Sequence, residues 1–156
     1  MYPKWIDHKD EINLREVGHG LYVGAEKAVT KPPDGGWYAV IDLYGESAAP
    51  SHSKMYRKVD NLVRWPFYDG DEFPEGLLDM VAQVVRTRDK EDDAPILIHC
   101  QAGLSRSASA AYAMLRHFEG MSHEEAHARV SEDPEAWPMP DTLFSARKWA
   151  WKNRET

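Results

Sequence analysis

The chain has 156 residues, 42% hydrophobic and 29% charged, which fits one soluble globular domain and excludes disordered, collagen-like and coiled-coil chains. Its 19 basic against 26 acidic residues give a net charge of −7, which argues against a nonspecific polyanion-binding surface and so against nucleic acid as a partner. No apolar run reaches the ~18 residues that span a bilayer. The N-terminus has no secretory core, no membrane or lipid anchor is encoded, and the lone cysteine, Cys100, makes no internal disulfide; a cytoplasmic protein is expected.

The first twenty residues are polar and mixed, without a clear element. Leu21 to Gly24 reads as a short strand, and Lys31 to Gly36 as dense turn chemistry. Trp37 to Leu43 is an apolar run between breakers, suited to a strand buried on both faces. Gly45 to Ser53 is loop-like, and Leu62 to Trp65 is a further strand ended by Pro66. From Phe73 to about Arg88, the spacing of Leu77, Leu78, Val81, Val84 and Val85 predicts a helix, with Pro74 and Glu75 in its first turn. Lys90 to Asp93 is a charged loop, and Pro95 to His99 a buried strand. A helix follows from Arg106 to Phe118, closed by Gly120, with Met114 and Leu115 on its core face. Ser122 and Glu125 form the capping box of a helix to Val130. Asp141 is the expected cap of a last helix containing Leu143, Phe144, Trp149 and Trp151. Trp137, Trp149 and Trp151 read as packing residues, and Trp65, Phe67 and Tyr68 as the mouth of a pocket. Strands alternating with helices predict one α/β domain over residues 1–156. Its sheet should be central and mostly parallel, with about four or five strands and helices on both faces.

The chemistry lies in Ile96-Leu97-Ile98-His99-Cys100-Gln101-Ala102-Gly103-Leu104-Ser105-Arg106-Ser107, a strand, a small-residue loop and the start of a helix. Free N–H groups at a helix start make an anion site. Ala102, Gly103 and Ser105 let the backbone close around a phosphate-sized group. Arg106 adds a planar fork for two phosphate oxygens. Cys100 sits at the base of this cradle, where the same dipoles and cation favour thiolate. A thiolate beneath a held phosphate is a nucleophilic phosphoryl-transfer site.

The stretch resembles the His-Cys-x5-Arg-Ser/Thr signature of the cysteine-dependent protein tyrosine phosphatase superfamily, and its Arg-Ser ending resembles the dual-specificity branch. Gly20-Leu21-Tyr22-Val23-Gly24 resembles that branch's first strand. Trp65-Pro66-Phe67-Tyr68-Asp69-Gly70 is similar to the acid loop of the phosphatases of regenerating liver, and the likeness covers roughly residues 18 to 151. The resemblance implies a phosphatase of phosphorylated proteins that needs no metal or cofactor. It implies that Cys100 attacks phosphorus, and that Arg106 and the N–H groups of Gln101, Ala102, Gly103, Leu104, Ser105 and Arg106 bind the phosphate oxygens. Asp69 is the implied general acid, with Asp71 the alternative and Glu72 and Asp42 next. Ser107 would hydrogen-bond the departing thiolate, and His99 would order the loop from behind it.

Other readings are weaker. A phosphoinositide or RNA 5′-phosphatase would favour basic residues in the cradle, where this chain has the neutral Gln-Ala-Gly-Leu-Ser. A phosphate-binding scaffold without activity would not need Cys100, Arg106 and an acid together. His123-Glu124-Glu125-Ala126-His127 matches the zinc-peptidase pattern H-E-x-x-H, but the helix only begins there and a solvated face accounts for it.

Overall fold

The computed structural model describes residues 12–44, 56, 59, 61–88, 94–101, 105–131 and 138–154. Five strands, β1 (Arg15–Gly18), β2 (Leu21–Gly24), β3 (Ala39–Tyr44), β4 (Leu62–Phe67) and β5 (Ile96–His99), form one sheet in the order β1-β2-β5-β3-β4. β1 runs antiparallel to β2, and every other pairing is parallel. The described residues also hold a 3₁₀ helix (Glu26–Thr30) and four α-helices, α1 (Leu77–Thr87), α2 (Arg106–Phe118), α3 (His123–Val130) and α4 (Pro140–Lys152). The mostly parallel α/β sheet is thus as expected.

Alternation along the strands builds two cores. Leu21, Val23, Ile41, Ile96 and Ile98 pack with Leu77 and Val81 of α1, Met114 and Leu115 of α2, Val130 of α3 and Ala146 of α4. Val40 and Leu97, pointing the other way, meet Ala28, Val29, Trp37 and Tyr56. Among the described residues the four α-helices pack on one face and the 3₁₀ helix on the other, so helices flank the sheet as expected. The 3₁₀ helix on that face ends before Pro32 and Pro33. The Trp37 indole N–H donates to Val29 O (3.1 Å), tying that cover down.

Helix α2 lies at the centre of the α layer. Ala108, Ala110, Ala111 and Ala113 are fully buried, and small residues on every side admit close neighbours all round. Its start, with Arg106 and Ser107 both buried, is where the cradle ends.

Several boundaries differ from the sequence reading. Strand β1 was not expected, because Val17 is its only fully buried residue among charged and small neighbours. β4 runs through Pro66, which an edge strand tolerates because its missing N–H costs no ladder bond. Helix α1 begins at Leu77 rather than Phe73. Gly76 sits at φ 87°, outside the helical region, and Leu77 N–H instead closes a turn onto Pro74 O (3.1 Å). Asp141 does not cap α4; Met139 does, with Pro140 in the first position, where its missing N–H is no loss. The Ser122–Glu125 capping box forms as expected, with bonds of 3.0 and 3.1 Å.

The aromatic residues also divide. Trp151 is 62% exposed rather than packed, and Phe144 is 55% exposed; with Arg116 of α2 they line an open groove. Trp149 faces inward, its indole donating to Asp79 Oδ1 (2.9 Å). Phe67 is buried against Phe73 at 4.9 Å and so belongs to the core, not to a pocket mouth; Tyr68 is exposed. Trp137 and the loops Gly45–Ser53 and Lys90–Asp93 lie outside the described residues.

Candidate active site

Three neighbouring strand ends converge where β5 gives way to α2, beyond the carboxyl edge of the sheet, where open α/β sheets take their ligands. Cys100 directly follows β5 and is only 3% exposed. Its Sγ lies 3.4 Å from the Ser107 hydroxyl, itself fully buried in the first turn of α2. Arg106 is the first residue of that helix. Its Nη1 donates to Phe67 O (2.7 Å) and Leu43 O (3.3 Å), so the guanidinium bridges the ends of β4 and β3. Its Nε is buried with no hydrogen-bond partner among the described residues. A buried cationic N–H without a partner is costly, and an anion oxygen is the natural group to meet it.

Ser105 precedes the helix, and its hydroxyl accepts the Met139 N–H (2.8 Å), so the start of α4 braces the end of the cradle. Gln101 is exposed, and its carbonyl accepts the Glu26 N–H (3.3 Å) from the 3₁₀ helix. Ala102, Gly103 and Leu104 lie outside the described residues.

Behind the thiol lies a buried polar network. His99 and Asp42 are both fully buried and sit side by side in the β5–β3 register, with Arg64 opposite Asp42 in the β3–β4 register. His99 Nδ1 faces Cys100 O at 3.3 Å, and its Nε2 faces the Tyr56 hydroxyl at 2.9 Å and Asp42 Oδ1 at 3.7 Å. Arg64 Nε donates to Asp42 Oδ2 (2.8 Å), Tyr44 N–H donates to Oδ1 (2.9 Å), and Tyr56 Oη lies 3.3 Å from Oδ2. The Tyr56 hydroxyl is held well above the usual tyrosine range, first by burial and then by the Asp42 carboxylate. It therefore stays a hydrogen-bond donor at any ordinary pH.

The proposed acid loop follows β4. Asp71 N–H closes a turn onto Tyr68 O (3.2 Å), with Gly70 at φ 93°, a value that favours glycine. Asp69 and Asp71 are both exposed. Two hydroxyls of α4 hold the turn. Thr142 Oγ1 accepts the Gly70 N–H (3.1 Å) and donates to Asp71 O (2.8 Å), while Ser145 Oγ accepts the Phe73 N–H (3.0 Å). Glu72, at the end of the turn, pairs with Lys148 of α4 at 3.3 Å.

A family model for protein-tyrosine phosphatases matches residues 40–132, which run from within β3 to the end of α3 and contain the Cys100–Ser107 stretch. The chain belongs to the protein-tyrosine phosphatase family. No curated protein sequence matches it. Solved structures share the fold at low identity. Tk-PTP in its active form superposes with a TM-score of 0.72 at 19% identity, covering 97% of this chain and 99% of its own. Human DUSP28 gives 0.73 at 19%, over 91% and 95%. PTPMT1 in complex with PI(5)P gives 0.70 at 17%, over 91% and 97%.

In this family member the structure brings Cys100, Arg106 and Ser107 together and sets His99 directly behind them. The zinc-like helix does not join them. His123 opens α3, and its Nδ1 is engaged by the Tyr112 hydroxyl at 2.7 Å. Among the described residues no third His, Cys, Asp or Glu gathers with His123 and His127. Likewise, no helix of the described residues is long and apolar enough to cross a membrane.

Sequence reasoning missed Tyr56, Arg64, Thr142 and Ser145, and treated Asp42 only as a reserve acid. Asp42 did carry a signal. A carboxylate inside Trp37-Tyr38-Ala39-Val40-Ile41-Asp42-Leu43, a run expected to be buried on both faces, must find partners there.

Proposed function

We propose that this protein is a single catalytic domain that hydrolyses phosphomonoesters on proteins, phosphotyrosine together with phosphoserine and phosphothreonine, in the cytoplasm. The observation that carries this reading is the buried Cys100 thiol 3.4 Å from the Ser107 hydroxyl at the start of α2, the helix whose first residue, Arg106, has a buried Nε with no hydrogen-bond partner among the described residues. In the first step, Cys100 Sγ bonds to phosphorus as the phosphorus–oxygen ester bond breaks, and the departing oxygen takes the proton of Asp69. Arg106 and the cradle N–H groups from Gln101 to Arg106 hold the equatorial oxygens, where charge accumulates. In the second step, Asp69 takes a proton from water, whose oxygen bonds to phosphorus as the Sγ–phosphorus bond breaks. Ser107 then donates to the leaving thiolate. All the groups invoked belong to the chain.

The neutral residues between Cys100 and Arg106 and the net charge of −7 support phosphoprotein over polyanionic lipid or RNA. The test is hydrolysis of phosphotyrosyl and phosphoseryl peptides, phosphoinositides and 5′-triphosphate RNA, with and without a chelator. Peptide turnover unaffected by chelator is expected. Preference for lipid or RNA moves the substrate, loss with chelator revives the His123–His127 helix, and phosphate binding without turnover makes the protein a scaffold.

A further inference from the structure

We propose that Asp42 is a positioning residue: directly and together with Tyr56, it orients and charge-balances His99 and thereby sets the pH range over which Cys100 reacts. This rests on the reading of Cys100 as nucleophile and adds to it a control that lies three strands wide across the sheet.

The argument is one of proton counting. The Cys100 carbonyl can only accept, so its 3.3 Å contact requires the proton of a neutral His99 ring to sit on Nδ1. His99 Nε2 then accepts from the Tyr56 hydroxyl at 2.9 Å. When His99 gains a second proton, Nε2–H donates to Tyr56 Oη, and the hydroxyl proton turns to Asp42 Oδ2, 3.3 Å away. One O–H rotation thus serves both charge states of the ring without moving a heavy atom. Asp42 supplies the counter-charge for the protonated ring. Arg64, at 2.8 Å, supplies the counter-charge for Asp42 when the ring is neutral, and its guanidinium lies 5.0 Å from the Tyr56 ring centre.

Among the described residues, the charged and titratable groups facing this network include Arg64 on β4, Asp42 on β3, Tyr56, Glu26 on the 3₁₀ helix, which acts on Tyr56, and Cys100 and Arg106 on the site side. Asp42, directly and with Tyr56, couples a buried carboxylate to the residue next to the thiol.

Two variants should push the thiol in opposite directions. In Tyr56→Phe the relay oxygen is gone, and Asp42 Oδ1 is the carboxylate left facing Nε2 at 3.7 Å, so the ring is held protonated. Thiolate is then favoured at lower pH. In Asp42→Asn the protonated ring loses its counter-charge and stays neutral. The positive charge lost is the nearer one, since the His99 ring touches Cys100's own carbonyl while Asp42 lies beyond the far ring nitrogen. Thiolate is then disfavoured.

The readout is the rate of carboxymethylation of Cys100 by iodoacetate against pH, with wild type beside both variants. It needs no substrate turnover, and one cysteine makes it unambiguous. The expected result is a midpoint lowered in Tyr56→Phe and raised in Asp42→Asn, each by about one pH unit, the size exerted by a charge at ~4–6 Å. A merely structural role would slow alkylation or lower stability without opposite displacements. Unchanged midpoints, or displacements of the same sign, overturn the proposal. Should Asp42→Asn fail to fold, Tyr56→Phe alone decides, since a midpoint that stays or rises refutes the relay. If Cys100→Ser retains turnover while the opposite shifts are seen, the nucleophile reading fails and the relay stands.

Discussion

Replacing Thr142 by valine removes one oxygen and keeps the shape of the side chain. That oxygen is fully buried on α4, accepts the Gly70 N–H at 3.1 Å and donates to Asp71 O at 2.8 Å. Each bond contributes about 1 kcal/mol net, so the substitution should cost about 2 kcal/mol. For a chain of this size the loss corresponds to a fall in Tm of about 4–8 °C. The same bonds hold the turn that carries Asp69. If all of that energy serves to keep the turn in place, loosening it lowers turnover by at most roughly 30-fold. The loss should fall on phenyl phosphate, whose leaving oxygen needs a proton, and largely spare substrates with very acidic leaving groups. Thermal unfolding and kcat on a leaving-group series measure both halves. A Tm drop with unchanged phenyl phosphate turnover would show that the loop does not depend on α4. An equal loss on every leaving group would show general damage rather than a displaced acid.

Further outcomes follow from the site. Cys100→Ser should abolish turnover yet retain phosphate binding by calorimetry, and Arg106→Lys should cripple both, because a point charge cannot replace a fork that already bridges Leu43 and Phe67. Asp69→Asn should slow poor leaving groups by about 10²–10⁴-fold and flatten the alkaline limb of the pH–rate profile, whereas Asp71→Asn should do neither; the reverse pattern moves the acid two residues along. Peroxide should inactivate the enzyme through Cys100 without forming an internal disulfide, since the chain has no second thiol, and mass spectrometry of the oxidised protein reads the product.

What was legible in the sequence was local. Cys100, Arg106 and Ser107 fall within eight consecutive residues, and a strand, a small-residue loop and a helix start leave them few ways to be arranged. The capping box of α3 was legible for the same reason. The supports of the site were not, because they join residues far apart. Tyr56 meets His99 across 43 positions, and Thr142 meets Gly70 across 72. A threonine inside a helix or a tyrosine between strands has no local pattern that reports such a partner. The exposure of Phe144 and Trp151 was equally hidden, since helical spacing identifies a face but not whether another element covers it.

The brace supplied by α4 has a consequence for synthesis. Translation delivers the acid loop, Cys100 and Arg106 before Pro140–Lys152 leaves the ribosome. A nascent chain at that stage carries every proposed reacting group, but Ser105 still lacks the Met139 N–H, and Gly70 and Asp71 still lack the Thr142 hydroxyl. The frame around the site is therefore finished only when Pro140–Lys152 docks, and its assembly waits on a helix made after every proposed reacting group.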